Sequence, residues 1–201
     1  MTKVKICGLR READIAYANA YRPDYVGFVF APTSRRYISP SAAGTLCEKL
    51  DAGIEIVGVF VDTPPEEVAA LLNRRVIDVA QLHGHEDEAY LKALHALTDR
   101  PLIKAFRIEN EADVARANAS VADHVLLDHG AGGTGRTFDW SLLHGMARPY
   151  FLAGGLTVKN IANALRLANP AVVDTSSGVE TDGFKDPSKI ERFIATVRNC
   201  G

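Results

Sequence analysis

The sequence predicts a single-domain α/β protein, a (βα)8 TIM barrel spanning residues 1–201. Three observations carry this prediction. Eight short apolar runs recur along the chain, several of them continuous rather than alternating, as in strands buried on both faces of a parallel sheet. Their centres lie roughly 21–31 residues apart, about the length that one strand, one helix and two loops need. Segments of helical pattern separate them, and no linker, low-complexity stretch or second domain breaks the alternation. Strict alternation fits a closed barrel or a doubly wound open sheet, and eight beats of similar length favour the barrel.

The first strand is VKIC (4–7), followed by a helix in EADIAYANAY from near residue 12. YVGFVF (25–30) is the second strand, and PSAAGTLCEKL follows Ser39 with Pro40 suited to the first helical position. IEIVGVFV (54–61) leads to Thr63-Pro64-Pro65-Glu66, which reads as a capping box ahead of Val68, Leu71 and Leu72. IDVAQLH (77–83) precedes EDEAYLKALHAL, and PLIKAF (101–106) precedes EADVARANA. HVLLD (124–128) is followed by the weakest helix, FDWSLLHGMARP, which is short and ends in Pro. PYFLAG (149–154) leads through a Thr157 cap to VKNIANALRLA. AVVDTS (171–176) leads to PSKIERFIATVRN after Asp186.

Composition narrows the function. A hydrophobic fraction of 47% and a net charge of −2 describe an ordinary globular chain, with no field recommending nucleic acid or an anionic membrane. No apolar run approaches the ~20 residues of a membrane helix, and the N-terminus lacks a signal-peptide core. The three cysteines, Cys7, Cys47 and Cys200, are odd in number and widely spaced. Neither a disulfide framework nor a zinc site fits them, and a reducing cytoplasm does.

In such a barrel the C-terminal strand ends form the functional face. Here those ends are polar and glycine-rich: Cys7-Gly8, Gln81-Leu82-His83-Gly84, Asp128, Gly154-Gly155 and Ser176-Ser177-Gly178. Gly154-Gly155 and Ser177-Gly178 follow strands seven and eight, the usual phosphate position of this fold. Asp128 at a strand terminus is suited to general-acid work, or to capping the next loop. Arg36 in TSRRYISP offers a planar fork for a carboxylate, whereas Arg35 reads as solvated. GGTGRTFDW (132–140) lacks the ending of a nucleotide P-loop and reads as a substrate-covering loop. Cys47 and Cys200 read as inert, and a metal role for His83 or His85 lacks a third ligand.

The strings VKICGL, GFVF with SRRYISP, QLHG, LLD with GGTGRTFDW, AGGL and VDTSSGVE resemble, in this order, those of phosphoribosylanthranilate isomerases of tryptophan biosynthesis. The resemblance runs from Lys5 to Glu180. It implies an Amadori rearrangement of a small phosphorylated substrate, with no cofactor or metal because only protons move, and a monomer or homodimer. It implies Cys7 as general base, Asp128 as general acid and Arg36 as the residue holding the anthranilate carboxylate. Gly154, Gly155, Ser177 and Gly178 would hold the phosphate, with Asp174 a strand-eight carboxylate near the substrate. A free thiol is only a few per cent ionised at neutral pH, so neighbouring cations or N–H donors are expected to assist Cys7.

The chain departs from the family pattern at Arg10, where Thr is common, and at Arg136, where Lys is common. The connection of His129, Gly130 and Ala131 is also short. The related aminoaldose isomerase of histidine biosynthesis uses Asp at the end of strand one, where this chain has Cys7. Indole-glycerol-phosphate synthase generally carries an extension before that strand. A non-catalytic binder of phosphoribosyl ligands would have no need of both Cys7 and Asp128.

Overall fold

The computed structural model describes residues 1–129 and 139–200. Eight parallel strands close a barrel in sequence order. They are β1 (Lys3–Cys7), β2 (Tyr25–Val29), β3 (Glu55–Phe60), β4 (Val79–Leu82), β5 (Leu102–Arg107), β6 (His124–Asp128), β7 (Tyr150–Leu152) and β8 (Val172–Thr175). Closure is made by β1, which pairs with β2 through Lys5 opposite Tyr25 and with β8 through Lys5 opposite Asp174. All eight predicted strands are present.

Helices α1 (Glu12–Tyr21), α2 (Pro40–Cys47), α3 (Pro65–Asn73), α4 (Glu88–His95) and α5 (Glu111–Ala119) follow the first five strands. After β6 the weak helical segment winds only as a 3₁₀ turn, Trp140–Gly145. Helices α6 (Ile161–Ala168) and α7 (Pro187–Asn199) complete the ring. Ser39 and Asp186 cap α2 and α7 as expected, accepting from the Ala42 and Lys189 amides, each at 3.2 Å. The expected Thr63 capping box does not form. Pro64 takes the N-cap position, and Thr63 Oγ1 donates instead to the Val61 carbonyl. Thr157 closes the turn before α6 by accepting from the Lys159 amide at 3.2 Å, while Asn160 holds the N-cap.

One element was not expected from the sequence. Between β8 and α7, a short 3₁₀ turn (Ser177–Val179) leads into a hairpin of β9 (Glu180–Thr181) and β10 (Phe184–Lys185). Its turn is Asp182-Gly183, both with positive φ, the conformation that Asp-Gly favours in a two-residue hairpin loop. Arg10 and Arg11 stack on the exposed Phe184 ring, and Arg10 also donates to the Arg35 and Gly183 carbonyls.

Period-two alternation divides each strand between two environments. Outward residues such as Val4, Ile6, Val26 and Phe28 pack with helix residues in one continuous apolar shell. Inward residues Tyr25, Val57, Val79, Ile103, Leu126, Phe151 and Val172 fill the lower barrel. Above them, Cys7, Val29, Ala31 and Val59 form a small apolar patch beside the mouth. The barrel is therefore a packed floor beneath an open polar upper face. Among the described residues no helix is long and apolar enough to cross a membrane.

Candidate active site

A cavity of about 290 Å³ opens at the C-terminal mouth of the barrel. Cys7, Arg36, Asp128, Gly154, Gly155, Asp174, Ser177 and Gly178 all line it, so every site residue expected from the sequence meets in one space. A wider hollow of about 630 Å³ near Met1, Arg148 and Pro170 contains none of them.

Cys7 ends β1 with its side chain inward and buried. Its room comes from Gly27 on the neighbouring strand, where an added Cβ would lie 2.7 Å from Sγ. Lys5, two residues earlier on the same inward face, is fully buried and donates to Asp174 Oδ2 at 2.9 Å. Burial pushes the Cys7 thiol up, the Lys5 and Lys185 ammoniums draw it down, and Asp174 adds to the rise. The expected cationic help is therefore present, but burial outweighs it. Burial also opposes the charge on Lys5, yet Asp174 and Cys7 hold its pKa above the ordinary value. Asp174 Oδ1 is buried without a hydrogen-bond partner among the described residues.

Asp128 stands at the end of β6, across the mouth. Its Oδ1 accepts the His129 amide at 2.6 Å, and its Oδ2 lies 3.5 Å from His83 Nε2. The Gln81 amide nitrogen lies 2.9 Å from His83 Nδ1. With that amide as donor, Nδ1 accepts, and in the neutral ring Nε2 carries the proton facing Asp128. Gly154, at φ 87°, lets its loop pass close to the carboxylate; a Cβ there would meet Asp128 Oδ1 at 2.8 Å.

The two glycine loops form the far wall. A Cβ on Gly178 would sit 1.8 Å from the Leu156 carbonyl oxygen, so only glycine permits this approach. The same carbonyl accepts from Thr175 Oγ1 at 2.7 Å, which ties the end of β8 to the loop after β7. Of the expected covering loop, residues 132–138 lie outside the described residues. Asp139 accepts from the Ser141 amide at 2.9 Å, and Trp140 is buried.

The family model for N-(5′-phosphoribosyl)anthranilate (PRA) isomerase matches residues 4–196. The chain belongs to this family. It is 42% identical over 201 residues to the isomerase of Clostridium kluyveri, covering 99% of each chain. The crystal structure of the isomerase from Thermus thermophilus superposes with a TM-score of 0.90 at 36% identity, covering 100% of both chains. A further PRA isomerase structure holds reduced 1-(o-carboxyphenylamino)-1-deoxyribulose 5-phosphate; it matches with a TM-score of 0.86 at 35% identity, covering 99% of this chain and 100% of that one.

Around this PRA isomerase site Arg36 is joined by Glu180 and Lys185, two charged groups that sequence reasoning did not assign. Arg36, on the loop between β2 and α2, donates from Nε and Nη2 to both carboxylate oxygens of Glu180, at 2.7 and 2.8 Å. Lys185 donates to Glu180 Oε1 at 2.8 Å and to Ser176 O and Oγ at 3.0 and 3.2 Å. Burial would raise the Glu180 pKa, but Arg36 and Lys185 bring it down to about 2. Ser176 Oγ in turn donates to the Cys7 carbonyl at 2.8 Å, tying this network to β1. Arg35 is exposed, as expected, with Nη2 3.7 Å from Glu180. The available signals were the Asp-Gly turn, which marks the hairpin carrying Glu180 and Lys185, and the placement of Lys5 two residues before Cys7 on one strand face. Among the described residues no cluster of three His, Cys, Asp or Glu is placed to hold a metal ion.

Proposed function

We propose that this chain converts N-(5-phosphoribosyl)anthranilate to 1-(2-carboxyphenylamino)-1-deoxyribulose 5-phosphate, with Asp128 as general acid and Cys7 as general base. The observation that carries this reading is the meeting of Cys7, Asp128, Arg36 and both glycine loops around one cavity, in a chain of the PRA isomerase family. Asp128 protonates the furanose ring oxygen as the C1–O bond breaks, and the anilino nitrogen lone pair forms the iminium. The adjacent iminium acidifies C2–H, and the Cys7 thiolate takes that proton to give the enolamine. A proton then adds at C1 as the C2 hydroxyl proton leaves, giving the ketone. The proton taken by Cys7 and the one lost by Asp128 exchange through solvent, so the reaction is a net isomerisation needing no cofactor.

The remaining residues bind and orient. The Gly154-Gly155 loop and the Ser177–Val179 turn present backbone to the phosphate, and Arg36 takes the ring carboxylate. Asp174 holds the Lys5 ammonium near Cys7, where the cation favours the thiolate against the cost of burial. The test is the loss of substrate fluorescence on adding enzyme, in wild type, Cys7→Ala and Asp128→Asn. Turnover is expected to fall roughly 10²–10⁴-fold in each variant while both still bind the reduced product analogue. Near-normal turnover in Cys7→Ala overturns the base assignment, and no turnover in well-folded wild type overturns the isomerase reading.

A further inference from the structure

Arginine offers a carboxylate two planar edges, one from Nε and Nη2 and one from Nη1 and Nη2. In Arg36 the first edge is fully used by Glu180, at 2.7 and 2.8 Å. Nη1 donates to no described residue, so the second edge is the one left for a ligand. The two side chains are only 9% and 6% exposed, which leaves the guanidinium little freedom to turn. Gly8 adds to this fit, because a Cβ there would lie 2.4 Å from Arg36 Cδ.

The charge balance fits an anion as well. Glu180 is faced by Arg36, by Lys185 at 2.8 Å and by Arg35 at 3.7 Å, so three cations surround one carboxylate. The pair also joins distant parts of the chain, with Arg36 in the loop after β2 and Glu180 on the hairpin after β8. An unanchored arginine would sample many rotamers and lose orientation for bidentate recognition.

We propose that Glu180 is a positioning residue that sets selectivity for the aromatic carboxylate by holding Arg36 with its Nη1–Nη2 edge available to the cavity. This inference rests on Arg36 being the residue that receives that carboxylate. Glu180 itself touches no reacting atom; it acts through Arg36, with Lys185 steadying its Oε1.

The test compares reduced 1-(2-carboxyphenylamino)-1-deoxyribulose 5-phosphate with its counterpart lacking the ring carboxylate. Both are titrated calorimetrically into wild type, Glu180→Gln, Glu180→Asp and Arg36→Met, and KM and kcat are measured for each enzyme. Glu180→Gln, which keeps the shape but not the charge, is expected to bind the carboxylated ligand roughly tenfold more weakly. Its KM should rise by a similar factor with kcat within about threefold, and the carboxylate-free ligand should bind within about twofold of wild type. Glu180→Asp should recover part of the lost preference, and Arg36→Met should abolish it. Full preference in Glu180→Gln alongside its loss in Arg36→Met overturns the role of Glu180 and leaves the reading of Arg36 intact. Equal weakening of both ligands in Glu180→Gln also overturns the positioning role, since it marks a general loss of structure. Full preference in Arg36→Met overturns the reading of Arg36, and this inference with it.

Discussion

A buried thiol between two lysines experiences opposing forces, and their balance decides how Cys7 behaves. Desolvation disfavours the thiolate more than Lys5 and Lys185 favour it, so the pKa lies above that of an ordinary cysteine. Cys7 should therefore resist alkylation in the folded ligand-free enzyme. Limited iodoacetamide treatment at neutral pH is expected to modify the exposed Cys200 first, with Cys7 lagging; mass spectrometry of the digested protein reads the order. Glu180 shows the opposite balance. Its pKa is lowered from 4.5 to about 2 in the fold, so its ionised form contributes stability above about pH 4.5. That contribution is lost as pH falls toward 2. The stability difference between wild type and Glu180→Gln in urea titrations should accordingly shrink on acidification across this window. A difference that grows would contradict the sign. Neither balance is readable from spacing: Lys5 and Asp174 are 169 positions apart, and Arg36 and Glu180 are 144 apart.

At the scale of elements, glycines set how closely the strand-end loops approach one another. Gly178 faces the Leu156 carbonyl so closely that any side chain would collide with it; the loops after β7 and β8 must separate to admit even a methyl group. Gly178→Ala is expected to cost about 1–3 kcal/mol in urea-induced unfolding and to weaken binding of the phosphorylated product analogue. Unchanged stability and affinity would show that the loops yield freely. The place of the Gly-Gly and Ser-Gly strings at the barrel mouth was legible because they follow strands seven and eight, and it is this place that motivates the phosphate proposal. The collision itself was not legible, since it involves a carbonyl from the other loop. The Thr63 cap failed for a local reason: the second proline of the pair, Pro65, sits at the first helical position and moves the boundary one residue on.

For the whole molecule, closure and helix packing decide stability. Helix α7 returns the chain end to the start of the barrel, placing Ile190, Phe193, Ile194 and Val197 in the apolar shell. Phe193 is fully buried, so Phe193→Ala should destabilise the protein by about 3–5 kcal/mol, measured as a lower urea midpoint. A loss below about 1 kcal/mol would mean that α7 is not part of the cooperative unit.

The sequence by itself determined the order and kind of the strands, because short apolar runs alternating with helical patterns are local signals; it did not determine which residues face inward, because strands buried on both faces are apolar throughout. It also determined which residues stand at the catalytic mouth, since in a closed parallel barrel every strand end of one polarity lies on one face. Tertiary structure alone decided the partners and the charge states. Lys5 with Asp174, His83 with Asp128, and Arg36 and Lys185 with Glu180 are brought together by closure, and the shifted ionisation of Cys7, Lys5 and Glu180 depends on burial and partners that no single segment specifies.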